Sequence, residues 1–454
     1  MAMPTYGYTL GFIQSMLTEE SGRVSGWFKE MDLGTVYQPI FSLPHKRAIG
    51  FDASLHSTDS EGKPVSAKTL FGPVESYSET SLLDLLSITL HVHNFFTGKP
   101  PRGLLFANLH PDVFLDSAQT GDFLAELVRH YRVPEGRLVI DIPGSVLKDE
   151  RLSAPLDRYR QLGCLISVTD FGVDNTNLDT VWHTAPVVVK MGRPVIADAT
   201  GDRRARLALT RAVSLLHEMN TLVVMEGIET EMEALIAIDA DADFATGFHF
   251  GAPFEDLGAY CEPGAKLEAL WNTYKRRAPS RTNETSARAS LENEPAHSSE
   301  IRKLRSASPD EISRYREERR PFISAIQHIA TSMKSGDEFE IACSALLALP
   351  GTIRCYMLDA DGKQIGNDVT SRHPPAAKGV DFNALTAPAD ADWSRRDFFC
   401  RARNEPEVAQ VTRQYCSLGG HTRCVTFSMA TTVQHNPVVV CGDVDWTAHP
   451  RRRR

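Results

Sequence analysis

A chain of 454 residues, 42% of them hydrophobic, is long enough for two or three domains with substantial cores. Its formal net charge of −9 excludes general nucleic-acid binding and a polybasic membrane anchor. No uncharged apolar run reaches eighteen residues, residues 1–10 lack the basic and apolar regions of a signal peptide, and no CxxC pair hints at a disulfide framework, so the sequence reads as a cytoplasmic protein with no membrane span and reduced thiols.

Patchy helical spacing over 11–29 predicts an N-terminal helical segment, 1–33, packing on the domain after it. Eight short apolar runs then alternate with helix-like stretches, at 35–43, 48–55, 103–109, 137–143, 165–171, 186–192, 221–228 and 243–251. The intervening stretches at 82–96, 123–131, 152–162, 203–219 and 231–238 carry apolar residues at helical spacing. That alternation predicts an α/β, TIM-like (β/α)8 barrel. Only a few residues around Pro44 join the first two strands, too few for a parallel crossover, so the first strand is expected to be antiparallel. Asp52, Asn108, Asp141, Asp170, Lys190 and Glu226 stand at or near the ends of these runs, where a barrel gathers side chains on one face. Oxygen ligands converging beside one Lys suit divalent cations held against an anionic ligand.

Residues 273–308 have the polar composition of a linker, and a helix is expected over 309–340, with an apolar stripe running from Phe322 to Met333 as a packing or dimer seam. Residues 341–448 alternate as short strands around the Asp361–Gly362 turn and predict a small α+β domain with an antiparallel sheet. Residues 449–454 form a solvated basic tail. Cys416, His421 and Cys424 have the residue types of a zinc or redox site, but without compact ligand pairs they read as core thiols. His91, His93, His217 and His249 read as packing or surface residues.

Over about 34–272 the ordered motifs resemble the EAL family, the cyclic di-GMP phosphodiesterase domain. Tyr37-Gln38-Pro39-Ile40 resembles its opening strand, and Gly50-Phe51-Asp52-Ala53-Ser54-Leu55 lies where Gly-Phe-Glu-Ala-Leu-Leu is usual. Phe106-Ala107-Asn108, Leu138–Asp141, Thr169-Asp170-Phe171-Gly172, Lys190, Glu226-Gly227-Ile228-Glu229-Thr230 and Thr246-Gly247-Phe248 come in family order. The resemblance implies hydrolysis of one phosphodiester bond with two Mg²⁺ or Mn²⁺ ions. It implies Asp52, Asn108, Asp141, Asp170 and Glu226 as metal ligands and Lys190 near the nucleophilic water. Glu229 would steady the loop after Asp170, and Gln38, His56, Lys190 and Gly247 would contact the dinucleotide.

Departures from the pattern mark the domain as degenerate. Thr169 replaces the acid that bridges both metals, and a neutral hydroxyl cannot supply that charge. Asp52 and Asp141 stand where Glu is usual, each carboxylate retracted by roughly 1.5 Å, against a tolerance of ~0.5 Å in a working site. Thr246 replaces a Gln, Gly192 an Asp, and the loop 173–177 lacks the family pattern. His56 and Ala252 replace two arginines that approach the nucleotide. The metal and catalytic positions, Lys190 and Glu229 included, are therefore expected to be vestigial or weak, with cyclic di-GMP or a protein as partner, and the chain a homodimer. The last domain resembles PAS-like, Cache-related sensor domains through 358–364, 392–399 and 443–446, with Arg395 and Tyr415 as candidates for an anionic ligand. A purely structural dimerisation module is the alternative.

Overall fold

The computed structural model describes residues 8–20, 22–65, 70, 77–173, 178–277, 309–371, 385, 388–418 and 423–446. The chain divides into two compact units, one built on residues up to Gly264 together with Tyr415–Arg423, the other on most of the chain from Ala265. No helix among the described residues is long and apolar enough to cross a membrane.

The first unit is the expected irregular barrel. Its eight strands are β3 (Met31–Ser42), β4 (Arg47–Thr58), β6 (Leu104–Asn108), β7 (Leu138–Pro143), β8 (Leu165–Phe171), β9 (Val188–Met191), β10 (Leu222–Met225) and β11 (Phe244–Ala245). β5 (Pro64–Val65) extends the sheet beyond β4. From β4 to β11 the barrel strands pair in parallel; β3 closes the ring and runs antiparallel to both β11 and β4. The strands are near-continuous runs of buried Val, Ile, Leu and Phe, as sheet covered on both faces requires. Helix Tyr77–Phe96 is buried over much of its surface, and twelve of its residues are buried, among them His91, whose ring bonds to Thr35 and Ser87. His217 pairs with Asp243 at 2.8 Å.

The N-terminal expectation needs correction. Among the described residues before β3 only Leu10–Gln14 is helical, and the chain then forms a hairpin, β1 (Leu17–Glu20) with β2 (Arg23–Phe28), whose second strand continues the barrel sheet by pairing with β3. Val24 and Phe28 face inward while Arg23 and Trp27 face outward, a period of two hidden inside apolar spacing too sparse to fix either period. Gly22, at φ 78°, makes the turn that a helix could not.

The second unit begins with helix Gly264–Arg277, eight residues before the expected boundary at 272, so the first five residues of the expected 273–308 linker are helical. Leu267, Leu270, Trp271 and Tyr274 are buried, and Lys275 pairs with the buried Asp392 at 2.6 Å. These long-range partners bind the helix to this unit. Residues 278–308, His421 and the basic tail lie outside the described residues. Helix Pro309–Lys334 packs Phe322, Ile326, Ile329, Ala330 and Met333 into the core of an antiparallel sheet, so its apolar stripe is a packing seam. Short helices at Phe339–Ala342 and Ser344–Leu347 complete the expected 309–340 stretch and pass into the sheet domain. The sheet strands are β12 (Thr352–Leu358), β13 (Gln364–Thr370), β14 (Gln410–Val411), β16 (Arg423–Val433) and β17 (Asn436–Asp445), ordered β13-β12-β17-β16-β14; β15 is Tyr415–Cys416. The expected turn is present: Asp359 accepts from the N–H groups of Asp361 and Lys363, and Gly362 sits at φ 82°.

Candidate functional site

Seven parallel strands end on one face, and the acids of the sequence meet there around Lys190. Lys190 is the third residue of β9, 1% exposed, with its ammonium 5.0 Å from the Phe106 ring centroid. Its Nζ donates to Asp52 Oδ2 at 2.6 Å and Asp141 Oδ2 at 2.7 Å, and lies 3.5 Å from Glu226 Oε1. Asp52 comes from β4, Asp141 from β7, and Glu226 directly follows β10.

One ammonium thus faces three carboxylates. Burial alone would pull the Lys190 pKa down, but Asp141, Asp52 and Glu226 outweigh it and hold the group charged. The acids respond in the opposite sense. Burial pushes Asp141 up to about 6 and Glu226 to about 7; Lys190 opposes both shifts, and neighbouring carboxylates add to them. Asp52 Oδ1 and Asp141 Oδ1 are buried with no hydrogen-bond partner among the described residues.

The other predicted ligands are close in sequence terms but do not join this cage. Asn108 stands in register beside Asp141 at the exposed end of β6. Asp170 is exposed, at φ 56°, where β8 breaks register with β9. Thr169, the residue before it, is buried, with its hydroxyl 3.5 Å from the Ile142 carbonyl. Thr246 donates to the Pro39 carbonyl at 2.9 Å, which commits its hydroxyl to the β3 backbone. Gly192 fits its surroundings tightly: a Cβ there would meet Val173 Cγ2 at 2.5 Å and lie 3.6 Å from Asp170 Oδ1.

Gly247 is required by the backbone, since at φ 150° an added Cβ would come within 2.2 Å of the Ile228 carbonyl oxygen. Glu229 pairs with Arg193, the first residue of helix Arg193–Gly201, while residues 174–177 of the loop it is expected to steady lie outside the described residues. Sequence reasoning misses Arg193; a basic residue just after a strand carrying the site Lys is the available signal. Gln38 lies in register beside Asp52 and donates to the Gly251 carbonyl at 3.4 Å, and His56 stands four residues beyond Asp52 on the same face of β4. Arg395 has its guanidinium 6.0 Å from the Tyr274 ring, and Tyr415 begins β15, which pairs with β16.

A pair of Mg²⁺ or Mn²⁺ ions does not fit this donor set. Two of its acids are tied to Lys190, the bridging position holds a buried neutral Thr169, and among the described residues no three His, Cys, Asp or Glu side chains are grouped to hold a metal. Such a mouth still suits an uncharged or hydrogen-bonding ligand edge, through Asn108, Asp170 and Gln38.

Known proteins resemble this chain. The family model described as EAL domain matches residues 23–253. The chain is 22% identical over 214 residues to the probable cyclic di-GMP phosphodiesterase PdeB of Escherichia coli (strain K12), covering 46% of this chain and 40% of that protein. It is 24% identical over 162 residues to the cyclic di-GMP phosphodiesterase RocR of Pseudomonas aeruginosa, covering 34% of this chain and 40% of the relative. The chain thus spans less than half the length of these two relatives. Among solved structures, the Bacillus subtilis YkuI protein, with an EAL domain, in complex with substrate c-di-GMP and calcium, is 18% identical at a TM-score of 0.48, over 91% of this chain and 96% of that one.

Proposed function

This chain belongs to the EAL domain family, and from that premise we propose that its barrel is a degenerate, hydrolytically inactive member that acts by binding. It serves cyclic di-GMP signalling in the cytoplasm as a nucleotide receptor or a protein-interaction regulator. The second unit is a PAS- or Cache-like domain that senses a ligand or pairs two copies into a homodimer.

The reading rests on Thr169. Two-metal hydrolysis needs an anion shared between the ions, and this position offers a buried hydroxyl directed at a carbonyl. Asp52 and Asp141 are also both tied to Lys190, so neither carboxylate can turn toward an ion without giving up that ammonium. Binding demands less than catalysis, because ligand orientation does not need a metal-activated water. A second reading, a slow metal-dependent phosphodiesterase giving linear pGpG, is favoured by the two unpartnered oxygens on Asp52 and Asp141, which retain acceptor capacity.

Titration of the full chain with cyclic di-GMP, with and without Mn²⁺, while linear product is monitored, separates them. The receptor reading expects binding without turnover, and turnover gained when Thr169→Asp returns the bridging charge. Clear linear product from the unaltered chain overturns it. An absence of binding heat at high micromolar nucleotide leaves protein partnership as the function.

A further inference from the structure

Among the described residues, the barrel mouth has too few cations for the ligand it is read to bind. Lys190 is buried and saturated by its acids, which leaves Arg193, half-exposed and paired with Glu229, as a cation after β9. Asp52, Asp141, Asp170 and Glu226 add negative charge along the same face, so a phosphodiester approaching them meets repulsion unless some exposed cation compensates.

An exposed cation stands over this face, supplied by the hairpin that precedes the barrel. Arg23, the first residue of β2, places Nη1 2.9 Å from Glu255 Oε2. The other oxygen of the same carboxylate lies 3.8 Å from His56 Nδ1. His56 shares the β4 face of Asp52, roughly 13 Å further out at ~3.3 Å per residue. It pairs in register with Gly34 of β3, which has no side chain to stand between His56 and the neighbouring elements. Glu255 is carried to the same rim because the preceding residue, Phe254, bridges β3 at Tyr37. The three side chains are 41%, 50% and 43% exposed for Arg23, Glu255 and His56.

We propose that Arg23 is the phosphate-binding cation of this mouth, parked on Glu255 until an anionic dinucleotide displaces it, so that it makes good the arginines missing at positions 56 and 252. The exchange is cheap. An exposed Arg–carboxylate pair contributes about 0–1 kcal/mol, whereas a guanidinium can meet a phosphate with two parallel charge-assisted hydrogen bonds. Glu255 is the competitor in this scheme, and the two residues therefore act on affinity with opposite sign. A merely structural ion pair would give both variants the same small loss.

The inference rests on the nucleotide-receptor reading above. Calorimetric titration of cyclic di-GMP into the full chain, into Arg23→Ala and into Glu255→Gln tests it, with thermal melting of each variant to establish that the fold is kept. Arg23→Ala is expected to bind about tenfold more weakly and with a flatter salt dependence. Glu255→Gln is expected to bind about threefold more tightly as its competition is removed, and the double variant to match Arg23→Ala. Nucleotide bound by the unaltered chain with an affinity that neither substitution changes overturns this inference and leaves the receptor reading intact. No binding by either the unaltered chain or Glu255→Gln overturns both.

Discussion

Each unit buries one cation among carboxylates, and the two arrangements differ in how completely they close. In the second unit Arg354 meets Asp368 and Asp443, both at 2.8 Å, and every neighbour is used. Tyr356 and Thr426 donate to the other oxygen of Asp443, Gln364 donates to Asp368, and Trp393 donates to Gln364. In the barrel Lys190 meets three carboxylates and leaves two buried oxygens without partners. A closed network specifies a fold; an open one with surplus acid has capacity left for something else.

The contrast breaks most sharply at Arg354. Arg354→Met strands the fully buried Asp443 without its cation and is expected to cost about 3–5 kcal/mol, read as loss of the second unit's unfolding transition in denaturant. Should the loss be below 1 kcal/mol, the network is not the keystone of that unit. Lys190→Met also removes a buried cation, yet Asp141 and Glu226 already lean toward protonation, so these two can neutralise themselves. Its cost is expected to be about 2 kcal/mol at pH 8 and smaller at pH 5, measured by denaturation at both values. An equal cost at the two pH values would show that Asp141 and Glu226 do not take up protons when the cation goes.

Asp84 provides a control away from both networks. It is buried on helix Tyr77–Phe96; burial raises its carboxyl to about 7, against the pull of the His110 backbone N–H. A raised acid pKa means the folded state holds a proton that the unfolded state has lost, so stability falls as pH rises from about 4 to 7. Asp84→Asn is expected to remove on the order of 2 kcal/mol of that decline, visible as a flatter midpoint-against-pH curve. The smallest effect is expected at the rim, where Arg23→Ala shifts stability by about 0.5 kcal/mol or less, whatever it does to ligand affinity.

Much of the barrel is legible in sequence. Its strands announce themselves as apolar runs, and the short Leu43–Arg47 link dictates the antiparallel β3. Strand-end acids can be assigned to one face, because a barrel brings the ends of its buried parallel runs together at one pole. Their pairings are not legible: Asp52 and Lys190 are 138 residues apart and meet only because β4 and β9 belong to one closed ring. Sparse apolar spacing hides the hairpin of Leu17–Phe28, and with it the contact of Arg23 with Glu255, which spans 232 residues. The expected boundary at 272 falls inside helix Gly264–Arg277, and tertiary partners such as Asp392 tie that helix to the second unit.

The reversed course of β3 has an architectural result. In a uniform barrel the rim around a site is furnished by chain that leaves a strand, and chain that enters one is kept at the opposite pole. Here one strand enters from the rim, so whatever lies immediately upstream of Met31 is delivered to the mouth of the barrel. Evolution can therefore retune this mouth by editing the outward-facing positions of a short leading hairpin, whose other face is bonded to helix Tyr77–Phe96 through Val24 and Asn94.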